Sequence, residues 1–276
     1  MNTPTPQPPV PQLWASGPAS ARAHCLLAPN PGPMTLDGTN TWVLLEPGST
    51  EAVVIDPGPD DVGHLTAIVE HVAERGARVS TIVLTHAHLD HSEGAPVLAE
   101  RTGARVRAVG PGHDDLGHGD VVRAGALEVR IEATPGHTAD SVSLVLAADR
   151  ALLTGDTVLG RGTTVVAHPD GELAAYLESL DRIRDLIGGG DVVRIYPGHG
   201  PLIEDASGMV AYYRVHRRER LDQVRAALSA GANDVESVLR QVYADVPESV
   251  WPAARMSIAA QLLYLRERGE FTERGA

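Results

Sequence analysis

Lysine is absent from this sequence of 276 residues, in which all 23 basic side chains belong to arginine. A Schiff-base mechanism and a Walker-type phosphate loop both need a lysine amine, so neither chemistry is available to the chain. Acidic side chains number 36, which gives a net charge of −13. Because binding to nucleic acid without sequence preference depends on an excess of positive charge, this balance disfavours it.

Cysteine and long apolar runs are also scarce. Cys25 is the single cysteine, which excludes an internal disulfide and fits a reducing compartment. No run reaches the roughly 18 apolar residues of a membrane span. The segment 1–12 lacks the basic stretch and apolar core of a signal peptide. We therefore expect a cytoplasmic protein that does not bind a membrane.

Proline, charge and pattern divide the chain into three regions. Residues 1–12 contain five prolines, which predicts a disordered tail. Residues 13–205 alternate apolar runs with turns and hold 27 acidic residues against 13 arginines, a net charge of −14. Residues 206–276 hold 9 acidic residues and 10 arginines, net +1, and show helical patterns only. The sequence thus predicts a large α/β domain over 13–205 and a small helical domain over 206–276.

Short apolar runs, rich in β-branched residues and bounded by turn residues, predict the strands of the large domain. They lie at 42–45, 52–55, 80–84, 105–109, 127–133, 143–146, 151–154 and 192–196. Helical periodicity between capping and glycine signals predicts helices in both domains. These are 60–74, 172–187, 207–230, 234–242 and 248–268.

A dense group of polar side chains directly follows the predicted strand 80–84. It comprises His86, His88, Asp90 and His91. In extended backbone His86 and His88 point the same way, whereas Asp90 and His91 lie beyond the bend and face a second point. Imidazole nitrogens and carboxylate oxygens suit Zn²⁺, Fe or Mn, so the spacing predicts a metal site rather than a solvated loop.

Three further side chains extend the pattern, each after a predicted strand. His137 and His199 both end a Pro-Gly-His turn, and Asp156 lies in Thr-Gly-Asp-Thr after the strand 151–154. Functional residues gather at the carboxyl ends of strands in α/β folds. Each residue alone is typical of a turn, but together with the first group we interpret all three as ligands.

The order HxHxDH followed by His, Asp and His resembles the metallo-β-lactamase fold superfamily. The resemblance implies an α/β fold, a four-layer αββα sandwich with its site at one edge between two sheets. It implies two Zn²⁺ per chain, with Mn²⁺ or Fe²⁺ as alternatives. The resemblance places the first ion on His86, His88 and His137, the second on Asp90, His91 and His199, with Asp156 bridging them and Asp56 orienting an imidazole.

The resemblance also implies a reaction, in which a hydroxide bridging the two metals attacks a carbonyl or phosphoryl centre. Metals bring the pKa of the bound water to about 7. Asp90 and Asp156 are the expected catalytic carboxylates, and either Asp90 or a metal-bound water would protonate the leaving group. True lactamases of this fold typically have Arg or Ser at the position of His91, or Cys at that of Asp156. We therefore do not expect antibiotic hydrolysis.

A narrower resemblance covers nearly the whole chain. Residues 30–42, NPGPMTLDGTNTW, are similar to the opening signature of the mitochondrial β-lactamase-like endoribonucleases and of fungal acyl-carrier-protein thioesterases. The three C-terminal helices resemble the winged-helix domain of that group, and 269–271 fits the transition from helix to wing. Asn40 and Thr41 are either polar substrate contacts or a turn at the start of a strand.

The substrate stays open at this point. A small acyl thioester or lactone and single-stranded RNA are the expected alternatives, with a second copy of the chain as a further partner. A glyoxalase II-like thioesterase is disfavoured because that enzyme binds glutathione through basic residues that include lysine. A fourth alternative is a winged-helix nucleic-acid-binding protein with a regulatory metal site.

Arginines cluster on the predicted helix 207–230, where they either contact phosphates or clamp the two domains together. We favour the clamp, because acidic residues interleave with them. The helix 248–268 is mostly apolar and is expected to pack inside the protein rather than read a groove. Four histidines outside the motif are expected on the surface: His24, His64, His71 and His216.

Overall fold

A computed structural model describes residues 14–110, 114–244 and 248–271. The predicted tail at 1–12 and the wing expected after Phe271 lie outside these residues. In the described part of the chain no helix is long and apolar enough to cross a membrane.

The first sheet contains seven strands that neighbour one another in chain order. They are β1 Gly17–Pro18, β2 Ala23–Leu27, β3 Asn40–Leu44, β4 Glu51–Ile55, β5 Arg78–Val83, β6 Arg105–Ala108 and β7 Asp114–Asp115. Strands β1 to β4 pair antiparallel, and β4 to β7 pair parallel. Parallel strands need a crossover. Helix α1 Val62–Ala73 connects β4 to β5, and the pair α2 Leu89–Ser92 and α3 Ala95–Thr102 connects β5 to β6.

The second sheet contains five strands in the order β12-β11-β10-β9-β8. They are β8 Val121–Ala124, β9 Leu127–Ala133, β10 Val142–Leu146, β11 Ala151–Gly155 and β12 Arg194–Pro197. Strands β8 to β11 form an antiparallel meander. Strand β12 pairs parallel to β11 after the crossover helix α4 Leu173–Gly188.

Three apolar layers hold the sheets and helices together. The inward side chains of both sheets, such as Leu44, Ile55, Leu144 and Leu153, form the central layer. Helices α1 and α3 pack on the outer face of the first sheet, and α4 packs on that of the second. Each fully buried aliphatic side chain contributes about 1.5–3 kcal/mol relative to exposure. The predicted αββα sandwich is therefore confirmed.

The C-terminal part of the chain contains helices joined by short turns and no strand among its described residues. It consists of α5 Ala206–Ser229, α6 Val235–Val242, a short 3₁₀ helix Glu248–Val250 and α7 Trp251–Glu267. Asp205 and Asp234 cap α5 and α6 by accepting the backbone amides of Gly208 and Ser237.

Helix α5 belongs to two apolar cores. Its first half packs Val210 and Tyr213 against α4 and the second sheet. Its second half packs Leu221 and Val224 against α6 and α7. One unbroken helix thus connects the sandwich to the C-terminal helices.

All the predicted strands and helices are present, with shifts of a few residues at their ends. Strands β1, β2, β7 and β8 and helices α2 and α3 were not predicted. Strands β1 and β7 have two residues each and helix α2 has four, which is too short for a periodic pattern. Strand β2 carries the polar His24, and β8 carries Arg123 between valine and alanine, so neither is an apolar run. Helix α3 has only eight residues, which is too short for a clear apolar period.

Candidate metal centre

The predicted ligands come from five places in the chain and meet at one edge of the sandwich. His86 and His88 follow β5, and Asp90 and His91 lie on α2. The other three follow β9, β11 and β12 of the second sheet: His137, Asp156 and His199. The carboxyl ends of strands from both sheets therefore converge on one point.

His86, His88 and His137 form the first group of side chains that could hold a metal ion. The Nδ1 atom of His88 lies 3.0 Å from Nε2 of His86 and 3.1 Å from Nε2 of His137. On its far side the His137 ring donates from Nδ1 to the carbonyl of Val165 at 2.8 Å. Since that proton occupies Nδ1, the Nε2 lone pair of His137 faces the group.

Asp90, His91 and His199 form the second group. Nε2 of His199 lies 3.1 Å from Nε2 of His91 and 3.2 Å from Oδ2 of Asp90. His199 donates from Nδ1 to the carbonyl of Gly38 at 3.1 Å, and His91 donates from Nδ1 to Asp56 at 2.9 Å. Both Nε2 atoms consequently point inward.

Asp156 lies between the two groups. Its Oδ1 is 3.4 Å from Nε2 of His91, and its Oδ2 is 3.5 Å from Nε2 of His199 and 3.8 Å from Nε2 of His137. Oδ1 is buried and has no hydrogen-bond partner among the described residues. A buried carboxylate oxygen normally has a partner. An orphaned oxygen facing inward nitrogen lone pairs is what two divalent ions would satisfy, so the residues present fit them.

The charged side chains of the site shift one another's pKa values. Burial alone would lower the pKa of His91, but the Asp156 and Asp56 carboxylates outweigh it and raise that pKa well above its usual value. Burial likewise opposes the charge of His199, yet Asp156 and Asp90 raise its pKa to about 9. Burial would raise the pKa of Asp156, but His199 and His91 hold it well below its usual range. Binding of cations would therefore release protons from His91 and His199.

Asp56 supports the site from behind. It follows β4, and its Oδ1 accepts the amide of Thr85 at 2.7 Å. Its Oδ2 accepts the Thr85 hydroxyl at 2.7 Å and the Nδ1 proton of His91 at 2.9 Å. Because the Thr85 hydroxyl donates to Asp56, it accepts from Nδ1 of His86, 3.0 Å away. A single carboxylate thus orients imidazoles of both groups.

Glycine is required where the chain passes closest to the ligands. A Cβ atom added to Gly198 would lie 2.5 Å from Oδ1 of Asp156 and 2.8 Å from Cε1 of His91. At Gly136, where φ is +130°, a Cβ would lie 2.3 Å from the backbone of Tyr176. Both Pro-Gly-His turns therefore require glycine because neighbouring atoms leave no room for a Cβ, as well as because the chain bends there.

The structure decides between the two alternatives for Asn40 and Thr41, which lie at the start of β3. Asn40 and Thr41 are buried and contact backbone rather than the site opening. Nδ2 of Asn40 donates to the carbonyls of Pro197 and Gly200 at 3.0 and 2.8 Å, which ties β3 to the turn that carries His199. The Thr41 hydroxyl donates to the carbonyl of Asp56 at 2.7 Å.

His64, expected on the surface, is also buried, with 6% of its area exposed. It lies on the inner face of α1 with Leu65, Ile68 and Val72. That helical spacing was visible in the sequence and would have placed the imidazole inside. His24, His71 and His216 are partly buried rather than exposed.

The basic residues of α5 mostly have partners inside the protein. Arg214 pairs with Asp181 at 2.9 Å, and Arg225 pairs with Glu270 at 2.7 Å. Arg220 lies over the ring of Tyr243. The Arg214 contact joins α5 to α4, as the clamp interpretation predicts. Helix α7 is largely buried, with Ile258 and Leu265 in the C-terminal core.

Comparison with known families identifies the chain. A family model described as the metallo-beta-lactamase superfamily matches residues 34–117 and 108–199. The chain belongs to this superfamily. A model described as the beta-lactamase associated winged helix domain matches residues 235–275. The prediction of a metallo-β-lactamase-fold hydrolase with a C-terminal winged-helix domain is confirmed.

The chain is also similar to individual proteins over most of its length. It is 34% identical over 270 residues to the beta-lactamase-like protein 2 homolog of Drosophila melanogaster, covering 89% of this chain and 88% of that protein. It is 37% identical over 231 residues to the atrochrysone carboxyl ACP thioesterase of Aspergillus fumigatus, covering 79% and 69%. The thioesterase of the same name from Aspergillus chevalieri is 34% identical over 260 residues, covering 88% and 79%.

Solved structures share the fold. A beta-lactamase domain protein from Burkholderia ambifaria aligns with a TM-score of 0.78 at 23% identity, over 95% of this chain and 91% of that one. A metallo-beta-lactamase family protein from Thermus thermophilus aligns with a TM-score of 0.74 at 24% identity, over 90% and 94%. At this level of identity the comparison concerns the architecture alone.

Proposed function

We propose that this metallo-β-lactamase-fold hydrolase holds two divalent ions and cleaves acyl thioesters or related lactones. The observation that carries the metal centre is Asp156, whose carboxylate lies within 3.4 to 3.8 Å of Nε2 atoms from both histidine groups and whose Oδ1 has no partner among the described residues. His86, His88 and His137 would hold one ion, Asp90, His91 and His199 the other, and Asp156 would bridge them. We favour Zn²⁺ because the donor set combines imidazole and carboxylate, with Mn²⁺ or Fe²⁺ as alternatives.

When bound, such ions lower the pKa of a water to about 7 and polarise the oxygen that gains charge in the transition state. The residues of the chain supply position and proton handling. Asp56 and the backbone carbonyls of Gly38 and Val165 accept the Nδ1 protons of His91, His199 and His137, so these three imidazoles direct Nε2 inward. No serine or cysteine nucleophile is needed.

Asp90 is the carboxylate best placed to carry a proton. Its side chain is 30% exposed, more than that of Asp156 at 12%. Burial raises its pKa, but the hydrogen bond from His199 and the charge of His91 outweigh it, so the net pKa is lowered. Asp90 is therefore ionised at neutral pH, and we assign it to accept a proton and pass it to the leaving group.

The surroundings of the site favour an acyl group over a polyanion. Leu89, between His88 and Asp90, is 69% exposed, so an apolar side chain stands beside the ligands. The predicted region 13–205 carries a net charge of −14, and most arginines of α5 are engaged within the protein. The phosphates of an RNA strand would have few free arginines to contact, whereas an acyl chain could pack against the exposed apolar side chain. The relatives named as thioesterases support the same choice.

The test is a parallel assay of purified protein loaded with Zn²⁺ or Mn²⁺, using acyl-CoA and lactone substrates in one arm and single-stranded RNA in the other. We expect acyl turnover that Asp156→Asn abolishes and the exposed Asp185→Asn leaves unchanged. RNA cleavage lost in Asp156→Asn, without acyl turnover, would overturn the substrate class. Metal bound at less than one equivalent per chain would overturn the binuclear centre.

A further inference from the structure

Arg217 is a cation inside the protein. It lies on α5 with 8% of its area exposed. Its Nη2 donates to the backbone carbonyl of Thr164, and its guanidinium lies 4.7 Å from the centre of the Tyr176 ring. No carboxylate of the described residues pairs with it. Burying a charge costs free energy unless its surroundings compensate, so the buried position of Arg217 has to serve a purpose other than packing.

The loop that Arg217 holds is directly connected to two of the proposed ligands. The hydroxyl of Thr164 donates to the backbone carbonyl of Asp156 at 2.6 Å. The carbonyl of the next residue, Val165, accepts the Nδ1 proton of His137 at 2.8 Å. The residue that Arg217 contacts therefore fixes the backbone of one ligand, and its neighbour fixes the tautomer of another.

Two buried tyrosines anchor the same loop nearer to Asp156. The hydroxyl of Tyr176 on α4 donates to the carbonyl of Thr157 at 2.7 Å. The amide of Leu159 donates to the hydroxyl of Tyr213 on α5 at 2.8 Å. Residues 157–165 thus have three anchor points on α4 and α5. Of these, Arg217 is the one beside Val165.

We infer that Arg217 is a positioning residue for the metal centre, acting through Thr164 and Val165 on His137 and Asp156. Without the hydrogen bond from Arg217 to Thr164, the carbonyl of the adjacent Val165 is no longer held next to His137. The Nδ1 proton of His137 then loses its fixed acceptor. His137 then exchanges between tautomers, and only one presents Nε2 to the site. Helix α5 is by this account part of the support of the metal centre. The inference rests on the metal binding proposed above, but not on the identity of the substrate.

The experiment compares two variants. Arg217→Met keeps roughly the length of the side chain but removes its charge and its donors, whereas Arg217→Lys keeps the charge but not the planar guanidinium. Arg218→Met is the matched control, because Arg218 is the adjacent, exposed arginine of the same helix. Zn²⁺ affinity is measured by chelator competition and Co²⁺ coordination by absorption. We expect Arg217→Met to lower the affinity for one of the two ions by about 10- to 100-fold, which is the usual loss when a supporting partner of a metal ligand is removed. We expect a smaller loss in Arg217→Lys and none in Arg218→Met.

A second pair of variants covers the case in which Arg217→Met fails to fold. Thr164→Val removes the hydroxyl that holds the backbone of Asp156, whereas Thr164→Ser keeps a hydroxyl there. The metal affinity should therefore fall in the first variant and stay near the wild-type value in the second. A readout without metal is the ¹⁵N spectrum of His137, which should report Nδ1–H in the wild type and mixed tautomers in Arg217→Met. Wild-type protein that binds no metal refutes the proposed function. Wild-type metal affinity in folded Arg217→Met overturns the present inference, as does wild-type affinity in Thr164→Val where Arg217→Met does not fold.

Discussion

The imidazole of His64 and the hydroxyl of Thr41 lie 2.9 Å apart in the buried layer behind the ligands. The single proton of Thr41 is donated to the carbonyl of Asp56, so His64 must donate from Nε2. Asp56 has a φ of +50°, a conformation that side chains other than glycine rarely adopt. A neutral histidine on α1 thereby helps to hold the residue that orients His91.

This relationship predicts a stability that depends on pH. Burial lowers the pKa of His64 to about 4, below the value of about 6.5 in the unfolded chain. Since the unfolded state binds the proton first, stability is unaffected above that unfolded value and falls as the pH drops from there toward about 4. The loss from this one group is roughly 2 to 4 kcal/mol. Urea unfolding of metal-free protein across this range should show a shallower pH slope in His64→Gln than in the wild type. The exposed His168→Gln should keep the wild-type slope, and an unchanged slope in His64→Gln would contradict the assignment.

Replacing Asp56 with asparagine should loosen the second ligand group. The amide can still accept from the Thr85 backbone, but it would place a donor against the protons of His91 and of the Thr85 hydroxyl. We expect metal affinity to fall by about 10- to 100-fold. Isothermal titration with Zn²⁺ measures the change, with Asp60→Asn, an exposed carboxylate near the same loop, as control. Equal affinity in the two variants would show that the hydrogen bond from His91 does not matter.

A methyl group at Gly198 should displace a ligand without unfolding the protein. The added Cβ would contact Oδ1 of Asp156 and Cε1 of His91 at 2.5 and 2.8 Å. A misplacement of about 1 Å in such a site costs about 10²-fold in rate. The control is Gly188→Ala at the end of α4, where nothing lies within 4 Å and alanine favours the helix. The kcat of each variant, measured beside its melting temperature, separates the site effect from general destabilisation. Full activity in Gly198→Ala would mean that the turn adapts.

Chelation should lower the melting temperature. Ions that bind only the folded state stabilise it by about 2.7 kcal/mol at 100 times their dissociation constant. Differential scanning fluorimetry with and without EDTA tests this in the wild type, and we expect a clear downward shift. Asp156→Asn should show a much smaller shift, because it loses the carboxylate that contacts both histidine groups. A shift of equal size in that variant would place the stabilising ions elsewhere.

The ligand residues could be predicted from the sequence because metal chemistry restricts both residue type and spacing. Three histidines and an aspartate within 86–91 have few other uses, and strand ends bring His137, Asp156 and His199 to the same edge. The strands themselves were visible as apolar runs. Local patterns therefore predicted the strands and the seven candidate ligands, whereas the arrangement of the strands in an αββα sandwich followed from the resemblance to the superfamily.

The supporting contacts could not be predicted, because they join distant parts of the chain. The Gly38 carbonyl that orients His199 is 161 residues away from it, and Arg217 is 53 residues from Thr164. A backbone carbonyl carries no sequence signal at all. The two alternatives for Asn40 and Thr41 stayed open for the same reason: at the start of a strand, a polar residue that faces solvent and one that contacts another turn have the same local sequence.

The continuity of α5 limits how relatives of this protein can be recombined. Val210 and Tyr213 complete one core, Leu221 and Val224 complete another, and Arg217 between them reaches the loop beside His137. A chimera joined within α5 between Arg217 and Leu221 would keep the α5 side chains of each core from a single parent. Exchange of the C-terminal helices therefore calls for a junction after Arg217, so that this residue stays with the loop 157–165 of its own parent.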